Sequence, residues 1–340
     1  CECVQNSTHV YHGESCENLL VPPPPPLFPP RATYTTIDLA YENWCEYAVV
    51  YLDYRDQLFL SGGYTCATMN SYSNDRLKRA ALVDLTTGES TALADMPTAR
   101  GSHEVVYYDG KVYNIAGSTY HVDAGTSKVE IYDLETDVWS SGPDFPASYG
   151  GLKCVVEDAT IVCAGGYQAN NFKAGAFSMD LSASELKWET LPSLSDSRVS
   201  HGMASANGYV YVIAGYCAHY CYSNTVEVLD LSDPTSWLIT TDANNLPDSR
   251  YSPTATSANG KIYVIGGYNP PNGEYSSYLV GEATYPSTSS WEVGDYVGPS
   301  EWDTHNYRVQ RWSYYSKVTG VTVVYTKTTS SIGFFSVANV

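Results

Sequence analysis

At 340 residues the chain can hold two ordinary domains or one all-β repeat fold, and its 43% hydrophobic residues suffice for a core. Acidic residues outnumber basic ones 37 to 18, and the formal charge of −19 argues against a nucleic-acid footprint and against docking on anionic lipid. No stretch reaches the ~18 consecutive apolar residues of a membrane-spanning helix.

The chain opens on Cys1-Glu2-Cys3 and continues through Tyr11-His12-Gly13-Glu14-Ser15-Cys16. This pattern resembles the C-terminal half of an EGF-like module over residues 1–16. The resemblance implies a Cys3–Cys16 disulfide and a partner for Cys1 upstream, in further domains of the same polypeptide. Asn6-Ser7-Thr8 is an N-glycosylation sequon, consistent with secretion. Residues 17–30 follow as a linker: Pro22 to Pro26, then Pro29 and Pro30, cannot join a ladder and form an extended spacer of roughly 3.1 Å per residue.

Residues 31–340 carry a repeat. Turns at Arg55-Asp56, Asp109-Gly110, Asp158-Ala159, Asn207-Gly208 and Asn259-Gly260 are followed by small pairs at Gly62-Gly63, Ala116-Gly117, Gly165-Gly166, Ala214-Gly215 and Gly266-Gly267. The second members are seven residues apart each time (56 to 63, 110 to 117, 159 to 166, 208 to 215, 260 to 267). A period near fifty residues marks a repeat architecture of strand units. Trp139, Trp188 and Trp237 each lie 22 residues past a small pair, and Trp291 lies 24 past, as inter-unit packing positions. The 31 tyrosines, against 7 Phe and 7 Trp, suit half-buried strands or a surface on which a glycan stacks.

The strings Lys111–Gly117, Tyr209–Gly215 and Lys261–Gly267, the Trp positions, and the Arg-x-x-His elements at Arg100–His103 and Arg198–His201 resemble the kelch repeat over about 300 residues. The resemblance implies a β-propeller with four strands per blade. A sixth turn at Thr319-Gly320 lies between strands 312–318 and 321–325, followed by a strand at 331–337, and no fourth strand follows. The strand Thr33 to Leu39 supplies it, which predicts an all-β, six-bladed kelch-type β-propeller closed by an N-terminal strand and leaving no open edge.

The turns also set cysteine register. Centring hairpins on Asp158-Ala159 and Arg55-Asp56 opposes Cys154 to Cys163 and Cys45 to Cys66. Opposed residues are about 4.5–5.5 Å apart at Cα, within disulfide reach. Cys217 and Cys221 bracket a short loop that a disulfide closes, with zinc binding as the rival reading. These pairs predict an oxidising, extracellular setting.

The resemblance implies partner contact at one mouth of the propeller, on the loops between blades and between the second and third strands of a blade. Matched residue by residue, the first kind of loop holds Arg100, Ser102 and His103, then Arg198, Ser200 and His201, then Arg250, Tyr251 and Ser252. The second kind holds Tyr64, Tyr120, His121, Tyr167, Tyr216, His219, Tyr220 and Tyr268. Two readings stand for the Arg and His: binding of backbone groups between blades, or a local cationic spot for acidic or hydroxylated partners.

Some secreted kelch propellers are copper-radical oxidases and others sugar mutarotases. The oxidases need a Cys–Tyr thioether, a second Tyr and two His, and here each propeller Cys already has a Cys partner. No catalytic residue, metal or cofactor is expected. The expected function is a non-catalytic extracellular protein- or glycan-binding module of a larger adhesion or matrix glycoprotein. A structural subunit of an extracellular filament is the alternative, and a carbohydrate-active enzyme a further one.

Overall fold

A computed structural model describes residues 2–6, 9–12, 35–68, 71–120, 124–169, 171–218, 221–240, 245–269, 273–274, 277–282, 291–295, 311–316, 320–328 and 330–338. Cys1, Cys16 and the proline-rich segment lie outside them. Glu2–Asn6, which ends on the sequon asparagine, pairs with His9–His12, placing Cys3 opposite Tyr11.

The repeat folds as a series of four-stranded antiparallel sheets. The first is Ala48–Leu52, Gln57–Ser61, Ala80–Asp84 and Ser90–Ala92; the second is Glu104–Tyr108, Lys111–Ile115, Val129–Asp133 and Val138–Ser141. The third is Lys153–Glu157, Thr160–Ala164, Ala176–Asp180 and Trp188–Leu191; the fourth is Gly202–Ala206, Tyr209–Ile213, Val226–Asp230 and Trp237–Ile239. The fifth is Thr254–Ala258, Lys261–Ile265, Ser277–Glu282 and Glu292–Asp295. The sixth joins Arg311–Ser316, Gly320–Thr328 and Ser331–Ala338 to Thr35–Asp38 from the other end of the chain, with Ile37 opposite Ile332.

Asp109-Gly110, Asn207-Gly208 and Asn259-Gly260 have positive φ at both residues, the geometry that matches the twist of a two-residue hairpin. The first hairpin departs from this. Its turn takes four residues, Asp53 to Asp56, and Leu52 pairs with Gln57. Register therefore moves by two, and Cys45 lies opposite Tyr64 while Cys66 lies opposite Tyr72. Cys45 and Cys66 still form a disulfide, 6.2 Å apart at Cα, as diagonal and not directly opposed neighbours. Cys154 is directly opposite Cys163 at 4.1 Å, and Cys217 directly opposite Cys221 at 5.3 Å.

The core lies between sheets. Alternate residues of each central strand face opposite neighbours, as the two-residue period of a strand requires. In the first sheet Phe59 packs with Val105, Val112 and Tyr132 of the second, while Leu58 and Leu60 pack with Ile37 and Ile332 of the sixth. Ile131 meets Ile161 and Met179 between sheets two and three. Val162 meets Val210 and Val212 between three and four, and Tyr211 meets Ile262 and Val264 between four and five. Between five and six, the Thr254 and Ser313 hydroxyls hydrogen-bond at 2.8 Å. Residues on the first strand of every sheet line one shared cavity of about 500 Å³.

The tryptophans tie sheets together at a fixed offset. Trp139, Trp188 and Trp237 donate their indole N–H to the carbonyls of Ala94, Pro143 and Pro192, at 2.9, 3.1 and 2.8 Å. Each acceptor lies on the segment that leaves the preceding sheet. Trp291 packs half-buried against the cluster of Leu246, Ile262 and Val264.

Candidate functional site

A second tier of short ladders stands at one end of the sheets, where the second strand of each repeat passes to the third. It comprises Trp44–Cys45 with Tyr64–Thr68 and Ser71–Arg76; Ser118–Tyr120 with Ala124–Gly125; and Tyr167–Gln168 with Asn171–Phe172. Arg198–Val199 with Tyr216–Cys217 and Cys221–Tyr222, and Tyr268–Asn269 with Gly273–Glu274, complete it. Bridges from Gly101 to Ser118, Gly150 to Tyr167 and Tyr251 to Tyr268 dock this tier on the loops between sheets.

The small pairs make this tier possible. Both members adopt positive φ in every repeat: Gly62 and Gly63, Ala116 and Gly117, Gly165 and Gly166, Ala214 and Gly215, Gly266 and Gly267. The left-handed conformation strongly disfavours a side chain, which explains the composition of the pair. The carbonyls of four of the five first members accept a bond from a side chain 16 or 18 residues away. Arg100 donates to Ala116 at 2.9 Å, Arg198 to Ala214 at 3.1 Å and Arg250 to Gly266 at 2.8 Å, while Trp44 donates to Gly62. The N–H of four of the five second members crosses to the next repeat: Gly63 to the Arg100 carbonyl, Gly117 to Tyr149, Gly166 to Arg198 and Gly215 to Arg250, all at 2.8–2.9 Å.

This geometry corrects the reading of the arginines as a cationic spot. Arg100, Arg198 and Arg250 are 0%, 1% and 0% exposed. Arg100 also donates to the Lys128 carbonyl at 2.7 Å and ion-pairs with Glu130 at 2.9 Å; Arg198 ion-pairs with Glu227. The guanidinium charges are spent inside the fold.

His103 and His201 are likewise interior. The rings wedge between repeats, His103 against Gly62 and Gly117, His201 against Gly165 and Gly215. His103 Nε2 shares a hydrogen bond with the Ser61 hydroxyl at 3.1 Å, and Ser61 donates to Asn114 at 2.6 Å. Burial, reinforced by Arg100 and Arg198 respectively, pushes both imidazoles down to about 3. Both rings are therefore neutral at physiological pH. Ser102, Ser200 and Ser252 hold the inter-sheet loops in positive φ.

The remaining expected residues do gather at the hairpin-bearing end. Tyr64, Tyr167, Tyr216, Tyr251 and Tyr268 are half-buried there. The Tyr64 and Ser102 hydroxyls hydrogen-bond at 3.1 Å, with Arg76 lying 4.5 Å over the Tyr64 ring. Burial raises the Tyr64 phenol above its ordinary range. Tyr120 lies in a described strand, whereas His121, His219 and Tyr220 lie outside the described residues.

An aromatic cluster spans three repeats at this end. Tyr216 lies 5.7 Å from Phe172, 5.3 Å from Tyr222 and 5.9 Å from Tyr251, and Tyr222 is 6.3 Å from Tyr251. Phe172, Tyr222 and Arg76 were missed in the sequence. The signal for them is an aromatic or basic residue on the returning strand of the short hairpins of the first, third and fourth repeats. On the axis, the shared cavity holds a Lys153–Glu104 ion pair of 3.0 Å, where burial raises the Glu104 carboxyl against the pull of Lys153.

Comparison with known proteins agrees with this architecture. The kelch motif matches residues 99–146, 197–235 and 249–279. Kelch-like protein terF of Aspergillus terreus is 25% identical, over 69% of this chain and 53% of its own length. Kelch domain-containing protein 3 of Bos taurus is 25% identical over 51% and 49%, so the chain spans about half the length of these relatives. The solved structure of YjhT superposes with a TM-score of 0.61 at 13% identity, covering 74% of this chain and 84% of that one. Three stretches of the chain thus carry the kelch motif, and its sheets follow a β-propeller fold like that of YjhT.

Proposed function

We propose that this chain is a non-catalytic interaction module whose hairpin-bearing end docks a protein partner. The observation that carries the reading is the cluster of Phe172, Tyr216, Tyr222 and Tyr251, contributed by three repeats and held on a rigid scaffold. Rings with a packed body and a wet hydroxyl are efficient contact residues, because they offer large area for two side-chain torsions. In this reading six blades close into a ring through the N-terminal strand, leaving the loop tier as the variable surface. The chain works outside the cell, as part of a larger glycoprotein. The three disulfides support that compartment, since such bonds persist under oxidising conditions.

The test is affinity capture from the native source with the wild-type chain, a Tyr216→Ala/Tyr222→Ala/Tyr251→Ala variant, and a Tyr54→Ala control in a turn at the opposite end. Loss of a captured protein by the triple variant alone supports the reading. Equal capture by all three defeats it.

A further inference from the structure

The Cys217–Cys221 disulfide differs from the other two in its surroundings. Cys45, Cys66, Cys154 and Cys163 are all buried, whereas Cys221 is exposed on its short strand. Thiol–disulfide exchange needs in-line access of a thiolate to sulfur, so this bond opens first under a mild reductant. The loop ahead of Arg198–Val199 places a carboxylate beside it. One oxygen of Asp196 and the sulfurs of Cys217 and Cys221 all lie within 4.8 Å of one another. Tetrahedral zinc with two thiolates and a carboxylate needs ligand atoms about 3.5–3.8 Å apart, a small adjustment from this arrangement.

Local charge favours a cation once the bond is open. Arg198 is paired with Glu227 and also feels the charge of Asp196, so opening the bond to two thiolates leaves the group with an excess of negative charge. The backbone is preset as well: Cys217 and Cys221 are directly opposed on paired strands, and Arg198 pairs with Cys217 on the other side.

We propose that the reduced Cys217–Cys221 pair and Asp196 form a zinc site, so that this hairpin exchanges a disulfide for a bound metal ion. A dithiol reductant supplies two electrons and two protons; the Sγ–Sγ bond breaks, and the reductant closes to its own cyclic disulfide. Zinc binding then releases both thiol protons to solvent, forms two Zn–S bonds and one Zn–O bond, and leaves the fourth position to water. Exchange with a small-molecule disulfide, which takes up the two electrons and leaves as two thiolates, re-forms the Cys217–Cys221 bond and expels the ion. The site stands independently of partner docking, although Tyr216 and Tyr222 flank its two cysteines.

The experiment treats the whole chain with limiting dithiothreitol, maps opened cysteines by alkylation and mass spectrometry, then titrates cobalt(II) as the zinc probe after removing the reductant anaerobically. Alkylation appears first at Cys217 and Cys221. One equivalent of cobalt gives a thiolate-to-metal charge-transfer band that zinc abolishes. Asp196→Asn, a near-isosteric change at a half-buried residue that keeps both thiols, weakens cobalt binding roughly tenfold or more, and Cys221→Ser removes the band. The proposal is overturned if another disulfide opens first, if the reduced chain gives no band, or if Asp196→Asn binds cobalt as tightly as the wild type.

Discussion

Arg100 and Glu130 form an ion pair of 2.9 Å with side-chain exposures of 0% and 5%, joining the loop between two blades to the third strand of a blade. Glu130 also accepts from the Thr98 N–H at 3.4 Å, so one carboxylate holds two points of that loop. Arg198 and Glu227 repeat the arrangement, with the Ser195 N–H on Glu227 at 2.8 Å. Removing one partner leaves a buried charge uncompensated. Arg100→Ala is expected to cost about 3–5 kcal/mol in urea unfolding. An Arg100→Met/Glu130→Leu double change should cost less than the single, because the fifth blade carries Leu279 at the register position of Glu130. A loss below about 1 kcal/mol for Arg100→Ala, as for an exposed pair, would contradict the burial described.

The interior histidines make stability pH-dependent. Their folded-state values lie near 3, below the ordinary value of 6.5, so the unfolded chain binds more protons across that interval. Their contribution is complete above pH 6.5 and falls as pH drops toward 3. Each neutral histidine should remove about 1.4 kcal/mol per pH unit on the steep part of this range. His201→Leu, which copies the Leu152 found at the same position in the third blade, is expected to flatten the decline in urea midpoint between pH 7 and 5.5. An unchanged slope would show that His201 is not buried in its neutral form.

Glycine at the second place of the small pair is needed for both conformation and space. Gly117 has φ +103, and a Cβ there would lie 2.6 Å from His103 Cβ and 2.9 Å from the Gly101 carbonyl oxygen. Gly88 also has positive φ, +76, but a Cβ there meets nothing within 4 Å. Gly88→Ala should cost about 1–2 kcal/mol, from conformation alone. Gly117→Ala should cost about 3 kcal/mol or more, because overpacking adds to it. Thermal unfolding of the two variants separates these effects, and equal shifts would remove the steric part of the argument.

Much of the fold is visible in the sequence because turn and small pair impose backbone conformations that few residues tolerate. That constraint placed the strands of the second to fifth blades and set Cys154 opposite Cys163. It failed at the first hairpin, where nothing local to Arg55-Asp56 distinguishes a four-residue turn from a two-residue one. The second tier escaped notice because its two- and three-residue strands have no periodicity to read. For the arginines the sequence leaves open backbone binding between blades or a cationic spot, and the structure has them donating to backbone carbonyls inside the fold. Their burial depends on Glu130 and Glu227, which lie 30 and 29 residues downstream, and only the pairing of strands reveals that proximity.

The hairpin-bearing end, with Tyr216 and Tyr251 at its aromatic cluster, is the surface we propose for partner docking. Photo-cross-linking tests it most directly, with a benzophenone side chain placed singly at position 216, 251 or 54 and the chain presented to its native extract. Tyr54 is the control, 51% exposed in a turn at the other end and stacked on Tyr107. A discrete protein adduct is expected from positions 216 and 251 and none from 54. An adduct from position 54 alone would contradict it.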